Sequence, residues 1–375
     1  MMTFIGFWTA INGLAAVNNI TPFKKMECFE FGDTKLSDRY IVYNIPKKHH
    51  KKSLSFRTIY APNDRLKYFL KFANNILSEQ YVQNNYAYGY VKGRNIVSNA
   101  RLHTNKHYVC NLDLKDFFPS ISYDRAYLAA KKHFKDIEPS ILELCIKASC
   151  VSVDHKCFLA QGSPLSPLLS NVVCIDLDNR LYSYCSDNGF SYSRYADDMT
   201  FSTNHTDKSA IELHINTIKQ IIKQSSFNIN EEKCRIQSNQ YNQSVTGLTV
   251  NEFPNVKKEY IKDLRNILYI WERYGYIDAN RRYQRKYRIA KRIKPLSDII
   301  LPRMEDVIRG RIQFLKTVKG SNDNQYQRFN NKYTSLLKRD CNFIPTHKPN
   351  KYIDGSNFKI YHSILKDQDG NNYIQ

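Results

Sequence analysis

Residues 191–203, SYSRYADDMTFST, set two adjacent aspartates, Asp197 and Asp198, between two runs of aromatic, β-branched and hydroxylated residues. Such runs favour strands, so the pattern predicts a hairpin with both carboxylates at its tip. Neighbouring negative charges repel. Clustered without a cation, they raise one another's pKa and weaken the fold. A chain that folds this way needs positive charge at that tip.

A second carboxylate-bearing strand lies upstream. In HYVCNLDL, residues 107–114, period-two alternation puts Tyr108, Cys110 and Leu112 on one face and Val109, Asn111 and Asp113 on the other. Laid beside the hairpin, this strand would bring Asp113 to Asp197 and Asp198 at one end of a sheet. Hard oxygen donors suit Mg²⁺, with Mn²⁺ as a substitute. Two such ions about 4 Å apart can activate a 3′-hydroxyl and stabilise a leaving pyrophosphate. A solvated Asp-Asp turn is the plain alternative for an isolated pair; the upstream Asp113 favours the metal reading.

Charge points the same way. Lysine and arginine outnumber aspartate and glutamate by 56 to 35, a formal charge of +21. That excess suits phosphate backbones or an anionic membrane. The most apolar stretch, FIGFWTAINGLAAV at 4–17, is shorter than the roughly 20 residues of a spanning helix and has no basic start. It is expected to be an N-terminal helix packed on the body, with no membrane partner. Nine cysteines without a C-x-x-C pair suggest reduced thiols and a cytoplasmic location.

Periodicity orders the rest. Residues 38–62 read as two strands around the basic turn KKHHKK, and 64–83 as a helix. A helix is expected over 123–150, a second over 166–189 and a third over about 207–225. CRIQS and SVTGLTVN read as a strand pair. From 257 onward the chain turns basic, helical and tyrosine-rich. Strands alternating with helices in the middle third predict a helix-covered sheet.

Three blocks, NLDLKDFFPSI (111–121), QGSPLSPLLSN (161–171) and RYADDMTFS (194–202), occur in the order and spacing of reverse transcriptase motifs A, B and C. The chain resembles a bacterial retron reverse transcriptase. NARLH (99–103) is similar to the retron N-A-x-x-H element and VTGL (245–248) to the retron primer-grip region. Ser170 stands where motif B usually has alanine. The resemblance covers about residues 38–320. It implies an α+β right-hand polymerase architecture: an N-terminal helical extension (1–37), fingers (38–107, completed by part of 125–165), palm (108–255), helical thumb (256–340) and a C-terminal extension (341–375).

The resemblance also assigns roles. Asp113, Asp197 and Asp198 are the expected ligands of two Mg²⁺ ions, and Lys233 the expected proton donor to pyrophosphate. For the deoxynucleoside triphosphate it implies Arg57 and Lys47 on the phosphates, Phe118 as the gate against a 2′-hydroxyl, and Gln161 with Gly162 beside the nucleotide. Phe117 is expected in the core. Asn99, His103, Val245, Thr246 and Gly247 are implied as RNA or primer contacts.

The densest basic stretch, RRYQRKYRIAKRIK (281–294), carries eight lysines or arginines in fourteen residues. On a helix, Arg281, Arg282, Arg285, Lys286, Arg288, Lys291 and Arg292 form a cationic rod suited to RNA. The retron resemblance implies a structured non-coding RNA as template and primer, priming from an internal 2′-hydroxyl, a branched RNA–DNA product, a separate effector protein and a role in antiphage defence. Competing readings are another bacterial reverse transcriptase (group II intron, diversity-generating or abortive-infection type) and a non-catalytic RNA-binding scaffold. All three aspartates are present, which weighs against the scaffold.

Overall fold

The structure, a computed structural model, describes residues 1–33, 39–46, 56–291, 301–344, 364–366 and 372–374. It separates into two compact units, Met1–Thr246 with Val250–Glu252, and Gly247–Thr249 with Phe253–Gln375.

In the first unit, α1 (Phe4–Val17) starts at Thr3, whose hydroxyl accepts from the Gly6 amide, and buries Phe7, Ile11 and Ala15. It is followed by α2 (Lys25–Asp33) and by the antiparallel pair β1 (Tyr40–Pro46) and β2 (Phe56–Pro62). The turn expected between those strands lies outside the described residues, and Lys47 with it. Asn63 caps α3 (Asp64–Glu79), whose helical spacing buries Leu66, Phe69, Leu70, Ala73, Ile76 and Leu77. A capping box between Asn95 and Ser98 starts the short α4 (Ile96–Arg101), and β3 (Tyr108–Asp113) follows.

The single helix expected over 123–150 is two, α5 (Tyr123–His133) and α6 (Pro139–Ser149). Pro139 accounts for the break, since it serves as a first-turn residue but cannot continue a helix. The hairpin β4 (Cys150–Val153) and β5 (Lys156–Leu159) leads to α7 (Ser166–Asp187). Next come β6 (Phe190–Tyr195), β7 (Asp198–Thr203), α8 (Lys208–Gln224) and β8 (Arg235–Ser238).

Four strands form one antiparallel sheet in the order β6-β7-β3-β8. β8 therefore pairs with β3, not with the VTGL segment as expected. That segment instead holds two short strands, Ser244–Val245 and Leu248–Thr249, around a turn in which Thr246 and Gly247 take φ of 47° and 85°.

The sheet is two-faced. Cys110, Leu112, Met199, Phe201 and Tyr192 alternate onto one buried face within the main hydrophobic core. The opposite face carries Asn111, Asp113, Asp198, Thr200, Ser202 and Ser193. Asn111 bridges this face laterally, donating to Thr200 and accepting from Gln237.

The second unit contains α9 (Lys258–Lys291), interrupted at Gly275 where φ is 73°, then α10 (Met304–Lys319) and α11 (Asn324–Arg339). Its centre is Trp271, fully buried against Tyr276 and Tyr333, its indole donating to Asp340 at 2.8 Å. Two further strands, Ile364–Lys366 and Asn372–Ile374, pair antiparallel; most of the expected 341–375 extension lies outside the described residues. All nine cysteines are free. Among the described residues no helix is long and apolar enough to cross a membrane.

Candidate functional site

The sheet register sets Asp113, the last residue of β3, directly opposite Asp198, the first of β7. Between β6 and β7 the chain reverses through Ala196, whose φ of 58° is left-handed, and Asp197. The Leu114 amide donates to the Asp197 carbonyl at 3.0 Å, stitching this turn to the end of β3. The three aspartates open into one cleft of about 980 Å³. Arg57, Tyr60, Tyr90, Phe118, Gln161 and Lys233 line the same cleft.

Lys233 lies with its ammonium 3.0 and 2.9 Å from the two oxygens of Asp113. The Asn230 side chain donates to the same carboxylate at 3.3 Å, and the Asn230 amide to the Asp113 carbonyl at 2.8 Å. Desolvation raises the pKa of Asp197, and repulsion from Asp113 adds to it. Asp198 is pushed up to about 6, first by desolvation and then by the charges of Asp197 and Asp113. Among the described residues no three histidine, cysteine, aspartate or glutamate side chains close into a ready-made metal cage. In kind, the donors fit a hard divalent cation: oxygens only, mutually repelling, with Asp113 already drawing in a positive charge.

Phe118 is half-buried beside the cleft, with Tyr90 at 6.5 Å between ring centroids, while Phe117 packs on Phe227 in the core. Gln161 lines the cleft, and its carbonyl accepts from the Tyr60 amide at 2.8 Å. Gly162 has a φ of 131°, and a Cβ there would lie 2.3 Å from the Tyr60 carbonyl oxygen. Its close approach is therefore to β2. Ser170 is buried, its hydroxyl donating to the Pro167 carbonyl at 2.8 Å.

Three expected RNA contacts are corrected. Asn99 is 1% exposed, and His103 and Val245 are wholly buried, so none offers a surface to a nucleic acid. Thr246 is half-buried, its hydroxyl 3.4 Å from the Ile96 carbonyl, and Gly247 is exposed. In the second unit Arg281, Arg282, Arg285, Lys286 and Lys291 are exposed, and the Arg282 guanidinium lies 4.2 Å from the Tyr274 ring. Arg288 is half-buried, and Arg292 lies outside the described residues.

Sequence reasoning missed the segment that supports the aspartate turn. The Tyr88 amide donates to the Arg194 carbonyl, and the Arg194 amide to the Tyr86 carbonyl. Gly89 lies where a Cβ would be 2.5 Å from the Ala196 nitrogen, and Asn171 holds the Gly89 carbonyl at 3.0 Å. Tyr90 then takes a φ of 62° beside the cleft. A glycine followed by an aromatic residue was the sole local signal. The need for it arises from backbone more than a hundred residues away.

Residues 45–250 match the reverse transcriptase (RNA-dependent DNA polymerase) family. The chain is 32% identical over 254 residues to the retron Mx65 reverse transcriptase of Myxococcus xanthus, covering 64% of this chain and 58% of that protein. It is 31% identical over 236 residues to the retron Ec83 reverse transcriptase of Escherichia coli, covering 60% and 74%. It thus spans little more than half the length of the first and about three quarters of the second. Among solved structures, telomerase from Candida albicans aligns with a TM-score of 0.44 at 12% identity over 81% of this chain and 64% of that one. With more than half its length matched and Asp113, Asp197 and Asp198 all inside the match, the chain belongs to the reverse transcriptase family, in its bacterial retron branch.

Proposed function

We propose that this chain is an RNA-directed DNA polymerase that copies part of a structured non-coding RNA into DNA. One observation carries the reading: Asp113 and Asp198 face each other across β3 and β7, with Asp197 in the adjoining turn, at a cleft shared with Arg57, Phe118 and Gln161. In this reading Asp113, Asp197 and Asp198 hold two Mg²⁺ ions, or Mn²⁺, which when bound activate the attacking hydroxyl and neutralise the leaving pyrophosphate.

The chain's own residues do the rest. Arg57 presents a planar fork to the triphosphate. The Phe118 ring fills the space a 2′-hydroxyl would need. Gln161 borders the nucleotide, with Gly162 holding its loop against β2. Lys233, poised on Asp113, passes a proton to the pyrophosphate oxygen. The exposed cations of α9 grip RNA phosphates. Fingers (38–107 with part of 125–165), palm (108–255) and thumb (256–340) follow from the same reading.

By its resemblance to retron reverse transcriptases, the reading extends to a branched RNA–DNA product primed from an internal 2′-hydroxyl, a cytoplasmic site of action, a separate effector protein and a role in antiphage defence. Sequencing the nucleic acid that copurifies with the protein tests this. A branched RNA–DNA molecule is expected; RNA alone would overturn it. Asp197→Asn should abolish DNA synthesis while RNA binding survives, and retained synthesis would remove the proposed metal role.

A further inference from the structure

His103 is a wholly buried imidazole whose two nitrogens each meet a serine hydroxyl. Its Nδ1 lies 2.7 Å from Ser202 Oγ and its Nε2 2.7 Å from Ser193 Oγ. Ser202 belongs to β7 and Ser193 to β6, the two strands that carry the aspartate turn. By register, Ser193 sits opposite Thr200, and Ser202 shares its face with Thr200 and Asp198. The imidazole thus spans the hairpin on the carboxylate-bearing face of the sheet.

Behind His103 the support continues. Its amide donates to the Ala100 carbonyl at 3.0 Å, closing the end of α4. At the other end of α4 the Ile96 carbonyl receives the Thr246 hydroxyl. Burial pushes the imidazole down to about 3, so it stays neutral and offers one donor and one acceptor. Two serines, each able to donate or accept, match either tautomer.

We infer that His103 is a positioning residue: it ties β6 to β7 and both to α4, and so fixes where Asp197 and Asp198 present their carboxylates. The inference deepens the polymerase reading and rests on it for its catalytic consequence. A buried bridge of this kind is costly to break, because each serine then loses its partner in a site water does not reach. A small misplacement of the turn would fall on the reaction rate more than on nucleotide binding.

The test compares wild type with His103→Gly and His103→Gly plus imidazole, the wild type receiving the same imidazole as control. Mn²⁺ affinity, read by electron paramagnetic resonance, and deoxynucleotide incorporation are followed together. In the glycine variant Mn²⁺ affinity and kcat should each fall roughly tenfold or more, with nucleotide KM nearly unchanged. Imidazole should restore both. Unchanged Mn²⁺ affinity, or a loss that imidazole does not restore in a folded variant, would overturn the inference. If the glycine variant does not fold, Ser202→Ala serves instead. It should lower Mn²⁺ affinity while His103→Gln partly preserves it, and wild-type affinity in Ser202→Ala would overturn the tether. Restored Mn²⁺ binding in a protein whose wild type makes no DNA would uphold the tether and refute the polymerase reading.

Discussion

Arg194 meets Asp178 through two parallel bonds, Nε to Oδ1 at 2.8 Å and Nη2 to Oδ2 at 2.7 Å, with both side chains fully buried. The same guanidinium reaches Asn171 at 3.0 Å and the Ala196 carbonyl at 3.2 Å, so a helix-borne carboxylate fixes the turn next to Asp197. Removing one partner strands a charge away from water. Asp178→Ala is therefore expected to cost about 3–5 kcal/mol, read from urea unfolding. The exposed pair Lys132–Asp176 provides the control: Lys132→Ala should leave the unfolding midpoint unchanged.

Gly89→Ala should separate stability from chemistry. The new methyl group would meet the Ala196 nitrogen at 2.5 Å and the Tyr195 carbonyl carbon at 3.1 Å, both backbone atoms. Relief requires the turn to move. The expected cost in stability is about 1–3 kcal/mol, while DNA synthesis should fall on the order of a hundredfold. Single-turnover incorporation beside thermal melting checks this; near-normal synthesis would mean that the turn tolerates the shift.

Asp198 makes the metal-free chain sensitive to acid in an unusual direction. Its folded-state pKa of about 6 lies above that of an unfolded aspartate, near ~3.9. Ionised Asp198 therefore destabilises the fold. The penalty is complete above the folded value, shrinks as pH falls through it, and vanishes below the unfolded value. In chelator, Asp198→Asn should melt higher than wild type at neutral pH, and the two should converge as pH approaches about 4. A constant difference across that range would remove desolvation and repulsion as the cause.

Phe118→Ala opens the space beside Tyr90. Discrimination against ribonucleotides should fall by roughly tenfold or more, measured as the ratio of kcat/KM for matched deoxy- and ribonucleotides. Phe117→Ala, by contrast, empties a core position and should lower stability by about 3–5 kcal/mol. Equal sugar selectivity in wild type and Phe118→Ala would remove the gate.

What could be read from the letters followed the range of each interaction. The β6–β7 hairpin and β3 showed in local alternation, and the Asp113–Asp198 juxtaposition followed once those strands were laid together. Other features depended on distant chain. Phe134 and Ile137 continue an apolar pattern through the break before Pro139, so two helices read as one. The partner of β8 is β3, which no local signal names. His103 sits in a polar-looking stretch yet is buried, because its partners lie ninety or more residues away. The Arg194–Asp178 pair was hidden for the same reason: a charged residue on a strand reads as solvent-facing until its partner is placed.

The contact between Gly162 and Tyr60 has a mechanical consequence. With the Tyr60 amide bonded to the Gln161 carbonyl and no room for even one carbon between Gly162 and β2, the strand bearing Arg57 and the loop bearing Gln161 form a single stiff panel. A side chain at position 162 would therefore have to push this strand off the loop, parting Arg57 from Gln161 along the wall of the cleft.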